Sequence, residues 1–233
     1  MRFLVDERDV LGPILREVPE FVRFYNEERE KRIGFIRWFR DFEISDGYSA
    51  YASYLKCAIY YGKSPISFKD AHVMAHEIMH LIRYQENDLL DLSYQKEARD
   101  LVQKLLEMLE DPIIDLFLYK NYNFDIRSTY LSDIDFCRKN IGKEAEDGLS
   151  KLINGVDLAK TILRWDLIDQ SLRGSWYSYL DWYKVLRPVS FQIGKEIADI
   201  VRVHGPQTIE RQEKIIEIII NRYNLKDIIS ILY

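Results

Sequence analysis

Two histidines and a glutamate in one short segment have the types and spacing needed to hold a divalent metal and activate a water. His76 and His80 are four residues apart, and Glu77 directly follows the first of them. On a helix, residues four apart lie on one face with Cβ atoms about 6 Å apart, so two imidazoles can converge on one tetrahedral ion. A bound zinc ion lowers the pKa of its water from about 15.7 toward about 7. The segment therefore predicts a zinc site in which Glu77 is the general base, taking a proton from that water and delivering it to a leaving amine.

The residues around this motif predict a buried helix. Apolar side chains surround it: Val73, Met74, Ile78, Met79, Leu81 and Ile82. Ser67 or Asp70 is expected to cap the helix, which should run to about Glu86. A third histidine, His72, lies one turn upstream, but positions four apart drift by about 40° around a helix, so three such imidazoles do not reach one ion comfortably. We therefore expect His72 to be a spectator or an outer hydrogen-bonding partner.

A catalytic zinc site needs a third protein ligand, and the scarcity of histidine predicts an acidic one. The candidates lie in a second amphipathic helix, expected from about Tyr94 to Glu110, and directly after it: Glu97, Glu107, Glu110 and Asp111. Glu97 has the polar neighbours of a solvated face, whereas Glu107 and Glu110 lie among apolar residues. Spacing alone does not choose between these two. Pro112 either kinks this helix or begins the next one with Asp111 as its cap.

The first part of the chain predicts a helical segment followed by strands. Residues 6–31 carry apolar side chains at helical spacing, and Gly12-Pro13 and Pro19 are expected to break this helix into shorter pieces. Residues 32–42 and 48–61 are rich in aromatic and β-branched residues, with the turn-like segment 45–47 between them, which predicts a β-hairpin or two antiparallel strands. From about residue 112 onward nearly everything is predicted to be helical, with breaks near 140–142, 154–155, 173–174, 187–188 and 205–206.

Composition places the chain among globular proteins and disfavours several partners. It has 233 residues, 47% of them hydrophobic and 30% charged, and a formal net charge of -5. Acidic and basic residues are interleaved, so the sequence predicts no basic surface, and nucleic acid is not an expected partner. Cys57 and Cys137 match no metal spacing and are expected to be reduced. The acidic residues near the start argue against a signal peptide, and no apolar stretch has the length of a membrane span. We expect a cytoplasmic protein.

Two blocks of sequence resemble the gluzincin type of zinc metallopeptidase. The first is Ala75-His76-Glu77-Ile78-Met79-His80, and the second, about thirty residues later, is Leu109-Glu110-Asp111-Pro112-Ile113-Ile114-Asp115. The second block is similar to the Leu-Glu-Asp-x-Arg-Ile-Glu block of a poorly characterised prokaryotic group of peptidases. Ile113 and Asp115 stand where that group has Arg and Glu. The resemblance covers roughly residues 45–120.

This resemblance implies a fold and a set of ligands. The fold would be α+β and predominantly helical, zincin-like, with a small N-terminal antiparallel β-sheet, an active-site helix and a glutamate helix before a helical C-terminal half. Residues 1–122 would form the catalytic core and residues 123–233 a helical sub-region. Zn²⁺ would be held by His76, His80 and Glu110, and a peptide or protein substrate would lie extended along an edge strand. The oxyanion donor would be a Tyr or His, for which the candidates are His204, Tyr119, Tyr122 and Tyr130.

Three hypotheses compete at this point. The first is a zinc-dependent hydrolase, specifically a metallopeptidase with Glu77 as general base. The second is a latent or non-catalytic zinc-containing regulatory or interaction protein with a zincin fold. The third is a helical scaffold with an accidental motif. Oligomeric state and cleavage preference do not follow from the sequence.

Overall fold

The computed structural model describes residues 2–44, 50–62, 66–168 and 173–232. It confirms the prediction of an α+β, predominantly helical protein. The chain forms two compact units, of which the first contains Met1–Asp88 and Ile114–Phe136, and the second Leu89–Ile113 and Cys137–Tyr233. Two helices, α5 (Arg99–Tyr122) and α6 (Ile126–Asn140), each supply residues to both units.

The first unit contains a mixed four-stranded sheet rather than the predicted small antiparallel one. Its strands are β1 (Arg2–Val5), β2 (Arg37–Asp41), β3 (Ala50–Ser53) and β4 (Ala58–Tyr61), in the order β1-β2-β4-β3. The β1–β2 and β3–β4 pairs are antiparallel, but β2 and β4 run parallel. The prediction failed because the segment 48–61 holds two strands, so that the second of them, β4, returns beside β2 in the same direction.

A tight turn makes this second segment a hairpin. After β3 the chain forms a single 3₁₀ turn, Tyr54–Lys56, and Cys57 then takes a left-handed conformation with φ 43° before β4 begins. Such a conformation reverses the chain within a few residues. The turn predicted at 45–47 lies outside the described residues. Because β3 is the last strand in the sheet order, it forms an edge of the sheet. It also contacts the helix that carries the histidine motif.

The helical segment near the N-terminus is divided at Pro19 but not at Gly12-Pro13, which lies inside α1 (Glu7–Glu17). Burial of Val10, Leu11 and Ile14 offsets the hydrogen bond that Pro13 cannot donate. Helix α1 ends at Glu17, and α2 (Pro19–Phe24) begins with the proline as its first residue, where the missing N–H costs no hydrogen bond. Residues Tyr25–Arg29 continue as a π-helical turn into the short α3 (Glu30–Arg32). These helices contribute Val10, Leu11, Ile14, Phe21 and Phe24 to the core of this unit.

The helix that carries the motif begins and ends close to the predicted residues. A 3₁₀ turn at Phe68–Asp70 leads into α4 (Ala71–Gln85), and Ser67 and Asp70 form a reciprocal capping box around that turn. Most of α4 is buried, with Met74, Ala75, Ile78 and Ile82 in the core. The part of α5 that belongs to this unit adds Ile114, Leu118 and Tyr122 to the same core. Burial of α4 on several sides fixes the rotation of the helix, and with it the direction of its histidines.

The second unit is mainly helical, as predicted. It contains the beginning of α5, the end of α6, and α7 (Gly148–Trp165), α8 (Arg173–Leu186), α9 (Pro188–His204) and α10 (Ile209–Arg222). A two-stranded antiparallel sheet pairs β5 (Leu92–Tyr94) with β6 (Ile229–Ile231). Pro112 lies inside α5 without ending it, and α5 runs on to Tyr122. Among the described residues no helix is long and apolar enough to cross a membrane.

The helix break predicted at Asn154-Gly155 was also wrong, for a physical reason. Asn154-Gly155 lies inside α7, where Gly155 faces α9 closely. A Cβ on Gly155 would lie 2.8 Å from the Cβ of Ile193, and one on Gly194 would lie 2.8 Å from the carbonyl oxygen of Gly155. The glycines therefore permit close helix packing and are not a turn signal here.

Candidate metal centre

Helix α4 directs three histidines into the interior of the first unit. His72, His76 and His80 expose only 4%, 8% and 7% of their surfaces. They lie at intervals of one turn, and buried imidazoles require hydrogen-bonding or metal-binding partners. The partners of each nitrogen atom therefore indicate what the cluster can do.

The two histidines of the motif direct the same atom toward each other. The Nε2 atoms of His76 and His80 are 3.1 Å apart, and the ring planes are inclined by 78°. Two nitrogens bound to one tetrahedral zinc at 2.0–2.1 Å are separated by about 3.3 Å. The separation of the two Nε2 atoms is therefore close to that of two ligands of a common ion.

Asp115 holds the other nitrogen of His76. Its Oδ1 is 2.8 Å from Nδ1 of His76, and the side chain has no solvent exposure. An ionised carboxylate only accepts hydrogen bonds, so it places the imidazole proton on Nδ1. Neutral His76 therefore presents an unprotonated Nε2 toward His80. Carboxylate groups commonly orient metal-binding histidines in this way.

Two further donors surround the same carboxylate. The hydroxyl of Tyr130 donates to Oδ2 of Asp115 at 2.6 Å. Nε2 of His72 is 3.0 Å from Oδ1, and Nδ1 of His72 is 3.2 Å from Oγ1 of Thr129. Asp115 is thereby fixed from several directions, and His72 is a hydrogen-bonding partner of the carboxylate that orients His76.

The donor atoms of His72, His76 and Asp115 also form a group that could hold a metal ion. They lie within 4.8 Å of one another and are all buried. The two nitrogen–oxygen distances, 2.8 and 3.0 Å, are those of hydrogen bonds. His76 thus belongs to two candidate sets of ligands, one with His80 and the other with His72 and Asp115. Removal of His72 or of His80 distinguishes the two sets.

The remaining nitrogen of His80 meets a tyrosine from the hairpin. The hydroxyl oxygen of Tyr54 is 3.3 Å from Nδ1 of His80. Tyr54 is the first residue of the 3₁₀ turn that follows β3. Glu77, on α4 between the two histidines, is only half-buried. The base predicted from the sequence is thus more exposed than the two imidazoles beside it.

The acidic residues proposed from the sequence have different environments in the second unit. Glu110 is buried, and Nε2 of Gln212 donates to its Oε1 at 3.2 Å. Asp111 is also buried, with its Oδ2 3.5 Å from the ammonium of Lys160. Glu107 binds the ammonium groups of Lys104 and Lys160, each at 2.9 Å. Glu97 is exposed, as the polar sequence around it predicts.

These ion pairs shift the pKa values of the groups involved. Burial alone would raise the pKa of Glu107, but the ammonium groups of Lys160 and Lys104 outweigh it and hold that pKa below its ordinary value. The pKa of Lys160, which burial alone would lower, is held well above its ordinary value by Glu107, Asp111 and Asp157. The cluster therefore favours the charged form of both partners at neutral pH.

Two of the predicted oxyanion donors use their hydroxyls for other carboxylates. Tyr130 donates to Asp115, and Tyr122 donates to Glu28 at 2.6 Å. Burial and this hydrogen bond raise the pKa of Tyr122 above its ordinary value. Tyr119 and His204 are both partly exposed.

Comparison with known proteins adds no constraint to this geometry. No protein-family model, curated protein or solved structure matches the chain. Sequence reasoning missed the roles of Asp115, Tyr54 and Tyr130. A signal existed for Asp115, because it is an acidic residue with apolar neighbours shortly after the candidate ligands Glu110 and Asp111; for the roles of the tyrosines there was none.

Proposed function

We propose that this chain is a zinc-dependent hydrolase of the gluzincin type, specifically a metallopeptidase. One observation carries the proposal: His76 and His80 direct their Nε2 atoms at each other at 3.1 Å, while their Nδ1 atoms meet Asp115 and Tyr54. This separation is close to that of two nitrogens on one tetrahedral zinc, and the contact of Asp115 with Nδ1 leaves Nε2 of His76 unprotonated on that side.

The third ligand comes, in this proposal, from the turn of α5 that precedes Asp115. Glu110 is the ligand that the sequence resemblance implies. Helical rotation favours its neighbour Asp111: a residue four positions before Asp115 is rotated from it by about 40°, and one five positions before it by about 140°. Because Asp115 contacts His76, the residue on its own face is the better candidate. Asp111 is thus our first choice and Glu110 the second.

The chemistry proposed for the site divides between ion and protein. Zinc would supply a Lewis acid that makes water a nucleophile near neutral pH. Glu77, half-buried beside the two ligands on α4, would accept a proton from that water and transfer it to the leaving amine. Asp115 would keep Nε2 of His76 free of its proton.

The fold of the first unit supports the same proposal. Strand β3 forms a sheet edge next to α4, and the backbone groups on such an edge can pair with an extended peptide. A peptide or protein is therefore the substrate class we propose. The order of a small sheet, a histidine helix and a later acidic helix also agrees with a zincin-like arrangement.

A second candidate is a latent or non-catalytic zinc protein. The observation that favours it is burial, because His76 and His80 expose only 8% and 7% of their surfaces. A catalytic zinc keeps one position open to water, whereas a structural zinc is closed by four protein ligands. Turnover of a mixed peptide library by the isolated chain would exclude this candidate.

The test is the metal content of chelator-free preparations, measured by elemental analysis. The parent is expected to carry about one zinc per chain, and His80→Ala is expected to lose it. His204→Ala, which changes the one histidine outside α4, is the matched control and should retain zinc. A parent that takes up no zinc even after reconstitution would overturn the proposal.

Three further variants assign the ligands. Asp111→Asn and Glu110→Gln keep side-chain size, and we expect the first to lose zinc and the second to keep it. His72→Gln is expected to keep zinc. Loss of zinc from His72→Gln, together with its retention by His80→Ala, would instead locate the ion among His72, His76 and Asp115.

A further inference from the structure

Tyr54 connects the hairpin to a predicted metal ligand through a polar contact with His80. Its ring stacks on that of Tyr84, with centroids 5.1 Å apart and planes inclined by 13°. The stack fixes the ring, and the hydroxyl lies 3.3 Å from Nδ1 of His80. Tyr84 is itself part of α4, one turn beyond His80. The tyrosine is thus held against the helix by packing that does not depend on the hydroxyl.

The hydrogen bonds of the neutral, metal-free histidines can run in only one direction. Asp115 accepts from Nδ1 of His76, so Nε2 of His76 is an acceptor. The 3.1 Å contact then requires His80 to carry its proton on Nε2. Nδ1 of His80 is left unprotonated and accepts from the hydroxyl of Tyr54.

If His76 and His80 held a metal ion through Nε2, the last of these bonds would reverse. His80 would then carry its proton on Nδ1 instead of Nε2, with no net release from this ring. Nδ1–H would donate to the hydroxyl oxygen of Tyr54, whose own proton would rotate away from His80. Because a cation-bound imidazole is the stronger donor, this second bond would be the stronger of the two.

We infer that Tyr54 is a positioning residue for the metal, acting through His80 by a hydrogen bond that changes direction when the ion binds. This inference rests on the proposed zinc function of His76 and His80. It adds a group that neither the motif nor its resemblance to known peptidases indicates. It also connects the turn after edge strand β3 to the metal.

The decisive variant is Tyr54→Phe, which removes the hydroxyl and keeps the stacked ring. Tyr84→Phe is the matched control, because it removes a hydroxyl from the other ring of the same stack. Zinc affinity is measured by competition with a chromophoric chelator, and folding by the thermal midpoint of the metal-free proteins. Tyr54→Phe is expected to bind zinc about tenfold more weakly than the parent at an unchanged midpoint, with Tyr84→Phe matching the parent.

The tautomer of His80 is an independent readout, observed by two-bond ¹H–¹⁵N correlations above pH 7.5. In the parent, His80 is expected to be Nε2–H without zinc and Nδ1–H with zinc. Equal zinc affinity in the parent and Tyr54→Phe, or a tautomer that does not change when zinc binds, would overturn this inference and leave the proposed function standing. A parent protein that binds no zinc would overturn both the inference on Tyr54 and the proposed function.

Discussion

Asp115 and His76 are joined by a 2.8 Å contact between Oδ1 and Nδ1, so a carboxylate on α5 orients an imidazole on α4. The other oxygen of Asp115 accepts from Tyr130. One buried carboxylate thereby combines two roles, orientation of a proposed ligand and cross-linking of helices within the first unit. The two roles can be separated by substitution.

Asp115→Asn is expected to weaken zinc binding by about 10- to 100-fold, because the carboxamide is a weaker acceptor for Nδ1–H of His76. It should also lower the free energy of unfolding by about 1–3 kcal/mol, since buried donors lose a charged partner. Chelator competition measures the first effect and urea denaturation the second. Tyr130→Phe is the control: it removes a hydrogen bond from the same carboxylate without changing its contact with His76. Equal zinc affinity in Asp115→Asn and the parent would contradict the orienting role.

Glu77→Gln is expected to retain about one zinc per chain and to lower peptide hydrolysis by about 100-fold or more, because an amide cannot accept the proton. Elemental analysis and cleavage of a quenched peptide library measure the two properties. Glu97→Gln, which alters an exposed glutamate of the same chain, should cleave as the parent does. Parent-like cleavage by Glu77→Gln would show that another group is the base.

Gly155→Ala should destabilise the second unit by about 1–3 kcal/mol, because the added Cβ has no space. It would lie 2.8 Å from the Cβ of Ile193 and 3.2 Å from the carbonyl oxygen of Ser190. Gly148→Ala, at the start of the same helix, has nothing within 4 Å of the added atom and should stay within about 0.5 kcal/mol of the parent. Urea denaturation followed by tryptophan fluorescence tests the pair. Two variants of equal stability would argue against the close packing of α7 and α9.

The ion pairs of Glu107 with Lys104 and Lys160 predict a loss of stability in acid. The pKa of Glu107 is lowered on folding, so the unfolded chain takes up its proton first as the pH falls. The stabilisation is therefore complete above the ordinary glutamate pKa, which is about 4.3, and disappears as the pH falls through the lower value of the folded state. The free energy of unfolding, measured by denaturation from pH 7 to 3, should decrease in this window.

Lys160→Met tests whether the lysine causes this dependence. It should lower the free energy of unfolding at pH 7 by roughly 3 kcal/mol, because Glu107 and its acidic neighbours lose a buried cation. The decrease between pH 5 and 3 should become shallower. Lys151→Met, on the same helix but with an exposed ammonium contact to a carbonyl, should follow the parent curve. A Lys160→Met curve parallel to that of the parent would assign the acid response to other groups.

Local signals made the motif helix predictable from the sequence. Ser67 and Asp70 form a capping box, and the apolar period of α4 continues to Gln85, within a residue of the predicted end. The division at Pro19 also follows from local chemistry, since a proline begins a helix well, whereas Pro13 and Pro112 lie inside helices that packing holds together. Such signals involve residues a few positions apart.

Long-range arrangement was not predictable in the same way. The parallel pairing of β2 with β4 depends on where each strand lies in the sheet. The hydrophobic period and the residue composition of a strand do not distinguish a parallel pair from an antiparallel one. The glycine at 155 gave the signal of a turn, but its role is set by the approach of α9. At the candidate site, His76 and His80 followed from spacing, whereas Tyr54 and Tyr130 belong to distant segments that only tertiary packing brings to them.

The hairpin of β3 and β4 also has a consequence for the order of folding. Its strands are joined by residues 54–57 alone, whereas β1 and β2 are separated by all of residues 6–36. Closing a short loop loses little chain entropy, and hairpins form within about 1–10 μs, so this pair should assemble before β1 joins the sheet. The stacked rings of Tyr51 and Tyr60, 4.9 Å apart across the two strands, would report that early event. The first part of the sheet to fold is thus the part that carries Tyr54.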